Sequence, residues 1–167
     1  MRLTLADLCQ AKWTKDIHEE WIRNLLKNRP DLTRERLEKI REKMDMHVRD
    51  CLVEDYEKLV ETIILPDPND RHVLAAAIHA KANVIVTFNL SDFPSKTVKK
   101  YGIEAQHPDK FLRRLLDRIP SRVMQAIQET RLSLKNPPKS TEEYLSILEL
   151  QSLSETVAYL RNYIDFI

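Results

Sequence analysis

The sequence predicts a three-layer α/β/α fold on a parallel sheet, followed by a helical extension at its C-terminal end. Three observations carry this expectation. Short apolar runs alternate with helical periodicities through the first part of the chain, as in a series of β–α units. The run "NVIVTF" (83–88) is continuously apolar, as a strand covered on both faces of a parallel sheet should be. From Ser121 onward the strand-like runs stop and only helical patterns remain. Residues 1–120 are therefore expected to form the α/β domain and residues 121–167 the extension.

In chain order, "LTLADLC" (3–9) reads as the end of a helix and "AKWT" (11–14) as a short strand. "KDIHEEWIRNLLKN" (15–28) is amphipathic, with Ile17, Trp21, Leu25 and Leu26 on one stripe. Asp16 stands where a cap belongs, with Glu19 at the capping-box position, and Pro30 ends the helix. "DLTRERLEKIREKMDMHV" (31–48) is a second helix, capped by Thr33. "DCLVE" (50–54) suits a short strand and "DYEKLVETII" (55–64) a helical turn or two. Asp67 and Pro68 are an N-cap and a first helical residue, after which Val73, Leu74, Ala77 and Ile78 face inward. Past "NVIVTF" come a lysine-rich helix, the last strand in "YGIEAQ" (101–106) and the helix "HPDKFLRRLLDRI" (107–119). "SRVMQAIQETRLSLK", "TEEYLSILELQ" and "SETVAYLRNYI" are the helices of the extension, with "NPPKS" (136–140) as a linker.

Composition narrows the function. Hydrophobic residues make up 43% and charged residues 32%, an ordinary soluble balance. No apolar run approaches the roughly 18 residues of a membrane span, and the N-terminal residues do not resemble a signal peptide. Cys9 and Cys51 form no CxxC pair and read as reduced thiols, so a cytoplasmic location is expected. The net charge of +1 gives no global field toward nucleic acid; basic strings such as "SKTVKKYG" and "KFLRRLLDR" are either solvated helix faces or a rim that contacts phosphates. With a single glycine, Gly102, neither GxxxxGK[ST] nor GxGxxG can occur, which excludes nucleotide loops of those kinds.

The informative segment is "DPNDRHVLAAAIHAKANVIVTFNLSDFP" (67–94), where acids gather at a helix start and after a strand end. In a β–α–β unit those two ends lie at one edge of the sheet, where open α/β sheets bind ligands. Asp67 and Asp70 open the helix, Thr87, Asn89 and Asp92 leave the strand, and Glu20 approaches the same edge. Clustered carboxylates repel one another unless a cation neutralises them, and a purely oxygen donor set suits Mg²⁺ or Mn²⁺. Each acid also has a plainer role. Asp67 is a cap, Asp70 favours the helix dipole, Asn89 and Asp92 make a turn, and Glu20 is a solvated acid. His72 and His79, about 10 Å apart along one helix, cannot share an ion.

"LPDPNDRHVLAAAIHAKANVIVTFNLSDFP" closely resembles the PIN-domain family, particularly its bacterial branch of VapC-type ribonuclease toxins. "WTKDIHEEWIRNLLKNRPDLT" and "GIEAQHPDKFL" resemble other segments of that branch, and the tail resembles an extension found in some of its members. The resemblance implies an Mg²⁺- or Mn²⁺-dependent endoribonuclease, the toxin of a type II toxin–antitoxin pair. RNA would be its substrate, an antitoxin protein its inhibitor, and a second copy its dimer partner, with no role for a membrane. By motif, Glu20, Asp70 and Asp92 match the family's catalytic, metal-holding acids, with Asp67, Thr87 and Asn89 beside them. Family members begin with an apolar strand ending in an aspartate. Here "MRLTLADLC" matches the helix after it, so the fold is expected to be N-terminally truncated, and Asp7 is a poor substitute for that acid. Two readings remain open: a ribonuclease, or a catalytically inactive PIN-like module that binds RNA or a partner.

Overall fold

The computed structural model describes residues 2–167. It is an α/β structure, rich in helix, with a short parallel sheet. Its residues form two compact units, one of residues 10–85 and 89–105, the other of residues 2–9, 86–88 and 106–167.

In the first unit, Thr14 is extended and accepts the Ile17 N–H at 3.1 Å, which starts helix α2 (Lys15–Asn28). The sequence suggested Asp16 for that cap. The hydroxyl two residues earlier takes the orphan N–H instead, and Asp16 is left to bond elsewhere. The expected stripe of Ile17, Trp21, Leu25 and Leu26 is also displaced, since the buried residues of α2 are His18 and Ile22. A buried imidazole is tolerable here because both ring nitrogens have partners. Trp21 Nε1–H donates to Nδ1 at 2.9 Å, so Nε2 carries the proton and donates to Asp45 Oδ1 at 2.9 Å. Asp45 Oδ1 also accepts Trp13 Nε1–H at 2.7 Å, tying α2 to helix α3 (Arg34–His47). Thr33 caps α3 as expected, accepting the Arg36 N–H at 3.3 Å.

"AKWT" and "DCLVE" do not make full strands. They meet in a single parallel bridge between Trp13 and Leu52, with Trp13 N–H to Cys51 O and Val53 N–H to Trp13 O both at 2.9 Å. Helix α4 (Glu57–Val60) follows and packs on helix α5 (Arg71–His79). Four consecutive residues of α5, Leu74 to Ala77, are buried, which its alanines permit by taking little room on any side. Ile63, Leu65, Ile85, Phe93, Val98 and Ile103 complete this core.

Strands β1 (Val84–Val86) and β2 (Glu104–Gln106) run parallel: Glu104 N–H bonds Asn83 O at 2.9 Å and Thr87 N–H bonds Gln106 O at 3.0 Å. β1 is not covered on both faces. Ile85 is buried, but Val86 and Phe88, which point the other way, are 46% and 62% exposed. Between the strands lies the short helix α6 (Ser95–Val98), followed by a 3₁₀ turn at Lys99–Tyr101.

Gly102 ends that turn in the left-handed region, at φ 74°, and hands the chain to β2. A side-chain carbon there would meet nothing within 4 Å, so only the backbone resists substitution. Gly102→Ala should cost about 1–2 kcal/mol, read as a melting temperature lower by roughly 2–8 °C. With so little glycine, the chain takes left-handed backbone at Asp7, Asp50 and Asp55, a residue type that tolerates it.

The second unit is helical apart from the residues it takes from β1 and β2. Helices α1 (Arg2–Leu5), α7 (Pro108–Arg118), α8 (Pro120–Ser133), α9 (Thr141–Leu150) and α10 (Ser154–Leu160) enclose a core that includes Leu8, Leu116, Val123, Leu145, Val157 and Leu160. Ser140 and Glu143 form a full capping box on α9. α10 has no side-chain cap of its own. Asp109, buried on α7, supplies one: its two carboxylate oxygens accept the N–H groups of Glu155 and Thr156, both at 2.8 Å. Burial pushes the Asp109 carboxyl up, but the bonds from Thr156 and from the backbone of Glu155 outweigh it and hold it below its ordinary value. Among the described residues, no helix is long and apolar enough to cross a membrane.

Candidate functional site

The acids of interest lie in the first unit, where the local sequence fixes each one. Asp67 is extended and accepts the Asn69 N–H at 2.8 Å, and Pro68, lacking an N–H, opens a 3₁₀ turn at Pro68–Asp70. This turn leads directly into α5, so Asp70 stands at the helix start, in a backbone conformation at φ −85° and ψ −4°. Its side chain makes no capping bond to the helix.

Asp70 is half-buried, and its carboxyl is pushed up from 3.8 to about 6. Burial is the largest cause; the charges of Asp92, Asp67 and Glu20 follow, with a hydrogen bond to Asp92. Four acids from three separate segments thus act on one another at Asp70. Asp92 ends a 3₁₀ turn at Leu90–Asp92, just after β1. Asn89 Nδ2 donates to its Oδ2, and Ser91 Oγ lies 2.6 Å from Asn89 Oδ1 and 3.5 Å from Asp92 Oδ1. Asn89 and Ser91 brace the Asp92 carboxylate. Ser91 escaped sequence reasoning, although "NLSD" is a polar turn signal of the kind that produces such braces.

Glu20, in the second turn of α2, places Oε2 3.6 Å from His72 Nε2 on α5. His72 is mostly buried, and its Nδ1 is enclosed without a hydrogen-bond partner. His79, at the far end of α5, is exposed. Thr87 follows β1 and is held through its N–H on Gln106 O, within the second unit. Asp7 also belongs to that unit, exposed just after α1.

As the side chains stand, no three His, Cys, Asp or Glu groups among the described residues are close enough together to hold an ion. The chemistry of the donors still fits a hard divalent cation. Glu20, Asp70 and Asp92 offer only oxygen, with the Asn89 amide beside them, and burial and the neighbouring acids all act to raise the Asp70 carboxyl.

The raised Asp70 carboxyl has a consequence for stability. In the folded protein Asp70 holds its proton to about pH 6, whereas in the unfolded chain it loses it near its ordinary 3.8. The folded state therefore binds more protons between these values, and stability falls as pH rises from about 4 to about 6. For a half-exposed group the loss should be on the order of 1 kcal/mol. Melting curves of Asp70→Asn without divalent ions should lack this slope and lie above wild type at pH 7.

A family model described as PIN domain matches residues 1–91, and one described as VapC50 C-terminal domain matches residues 108–162. A Mycobacterium tuberculosis protein (strain ATCC 25618 / H37Rv) named "Putative ribonuclease VapC50" is 58% identical over 48 residues. That match spans 29% of this chain and 28% of the relative. No solved structure matches the chain.

Proposed function

The chain belongs to the PIN-domain family, and from that premise we propose that it is an endoribonuclease that cuts RNA with Mg²⁺ or Mn²⁺. The convergence of Glu20, Asp67 and Asp92 on the half-buried Asp70 is the observation that carries the reading. Glu20, Asp70 and Asp92 would hold the cation, and Asp67 and Asn89 would lie beside it. When bound, such an ion supplies charge neutralisation and Lewis acidity toward a phosphodiester oxygen. The protein's own part is positional. Asn89 and Ser91 orient Asp92, and the 3₁₀ turn that Asp67 and Pro68 start presents Asp70. In this reading the strand pair belongs to a three-layer α/β/α sheet whose C-terminal edge carries the acids, and residues 121–167 are a helical extension.

The relative's name supports a ribonuclease role, and the resemblance to VapC-type toxins extends it to a toxin role. RNA is then the substrate, a small antitoxin protein the inhibitor, and a second copy of the chain the dimer partner, with the reaction taking place in the cytoplasm. The test is incubation of the purified chain with single-stranded RNA, with Mn²⁺ and then with excess chelator. Cleavage that starts with Mn²⁺ and stops with chelator is expected. RNA binding with no cleavage under either condition would show a non-catalytic module instead.

A further inference from the structure

We infer that Tyr56, acting through Asp16, is a positioning residue that sets where Glu20 stands. The inference rests on the acid-site reading above. Asp16 and Glu20 are one turn apart on α2 and so share a face. On that face Asp16 Oδ2 accepts the Tyr56 hydroxyl at 2.6 Å, and Glu20 Oε2 lies 3.6 Å from His72 on α5. Tyr56 is buried in the core that also holds α5, and it immediately precedes α4, which packs on α5. The hydroxyl thus joins the first turn of α2 to the element pair that carries Asp70.

Two features make this link unusual for a surface carboxylate. Thr14 already caps α2, so Asp16 is not needed at the helix start and makes its bond across 40 residues of sequence. Burial and the bond to Asp16 also push the Tyr56 hydroxyl up to about 12, so it remains a donor throughout the working pH range. An exposed acid bonded to a buried phenol is held in one place, and α2 is held with it. Glu20 is the next residue along that face.

Tyr56→Phe keeps the buried ring and removes only the oxygen, so the variant should fold. Outer partners of metal ligands typically change metal affinity or activity about 10–100-fold; for this indirect link we expect Mn²⁺ affinity and kcat each to fall about 10-fold, with the KM for RNA unchanged. Asp16→Ala should match it, and the double variant should be no worse than either single one. Asp16→Asn, whose amide oxygen still accepts from Tyr56, should stay near wild type. Trp13→Phe breaks another buried bond, to Asp45, at 2.7 Å, and should lower stability without altering Mn²⁺ affinity. A metal-free readout separates this inference from the acid-site reading: the His72 ring nitrogen resonances, which report on Glu20, should move in Tyr56→Phe and stay in place in Trp13→Phe. If they move while wild type binds no Mn²⁺, the positioning link stands and the metal reading fails. If they do not move in Tyr56→Phe, the inference is overturned.

Discussion

Asp70→Asn and Asp92→Asn, each alone, should lower Mn²⁺-dependent RNA cleavage more than about 100-fold, since losing even an outer partner of a metal ligand costs about 10–100-fold. The neutral amide keeps the shape and removes the charge that holds a cation. Asp70 sits where the fields of Asp92, Asp67 and Glu20 overlap, so its neutralisation also relieves the repulsion that raises its own carboxyl. Activity and stability should therefore separate. Asp70→Asn gains stability in the metal-free state while losing activity, a combination that a folding defect cannot produce. Asp92→Asn should also lose activity while gaining some stability without metal, since it removes the largest of the charges that act on Asp70. Single-turnover cleavage of RNA by each variant, beside its melting curve, checks both statements. Cleavage within a few-fold of wild type in either variant would move the chemistry to another site.

The second large effect falls on stability. Asp109→Ala should cost about 2–3 kcal/mol, combining the loss of a helix cap with two backbone N–H groups left without their charged partner. For a chain of this size that lowers the melting temperature by roughly 4–12 °C. The reason is that α10 brings no cap of its own, and the Asp109 carboxylate is what bonds its first N–H groups. The pH dependence has a definite sign. The folded carboxyl is held below its ordinary value, so its contribution is fully present above the normal carboxylate range and is lost as pH falls through the folded value. Wild type and Asp109→Ala should accordingly converge in stability as the solution is acidified. A constant gap down to low pH would show that packing around the side chain, and not its charge, holds α10.

Sequence revealed the parts of this structure whose cause lies within a few residues. Thr33 caps α3 and Asp67 opens the turn before α5 because a cap bonds an N–H two or three positions on. The parallel pairing of β1 with β2 follows from apolar runs separated by a helical segment. What escaped has distant partners. Asp16 read as a cap because its bond to Tyr56 spans 40 residues, and nothing near Asp109 marks it as the cap of α10, since Glu155 is 46 residues away. His18 broke the apolar stripe of α2 because Asp45 and Trp21 satisfy it, and side-chain periodicity carries no record of such pairs. The exposure of Val86 and Phe88 was hidden for a related reason: an apolar run does not tell which of its faces is packed. At the acids, sequence pointed to the residues worth testing, and the field around Asp70 supplies the physical reason to test them.

Anomalous diffraction at the manganese edge, from crystals soaked in Mn²⁺, tests the proposed centre most directly. The account predicts a single strong peak within about 2.0–2.4 Å of carboxylate oxygens of Glu20, Asp70 and Asp92, the usual range for hard divalent ions. A peak that touches none of these three residues, or no peak at saturating Mn²⁺, would contradict it.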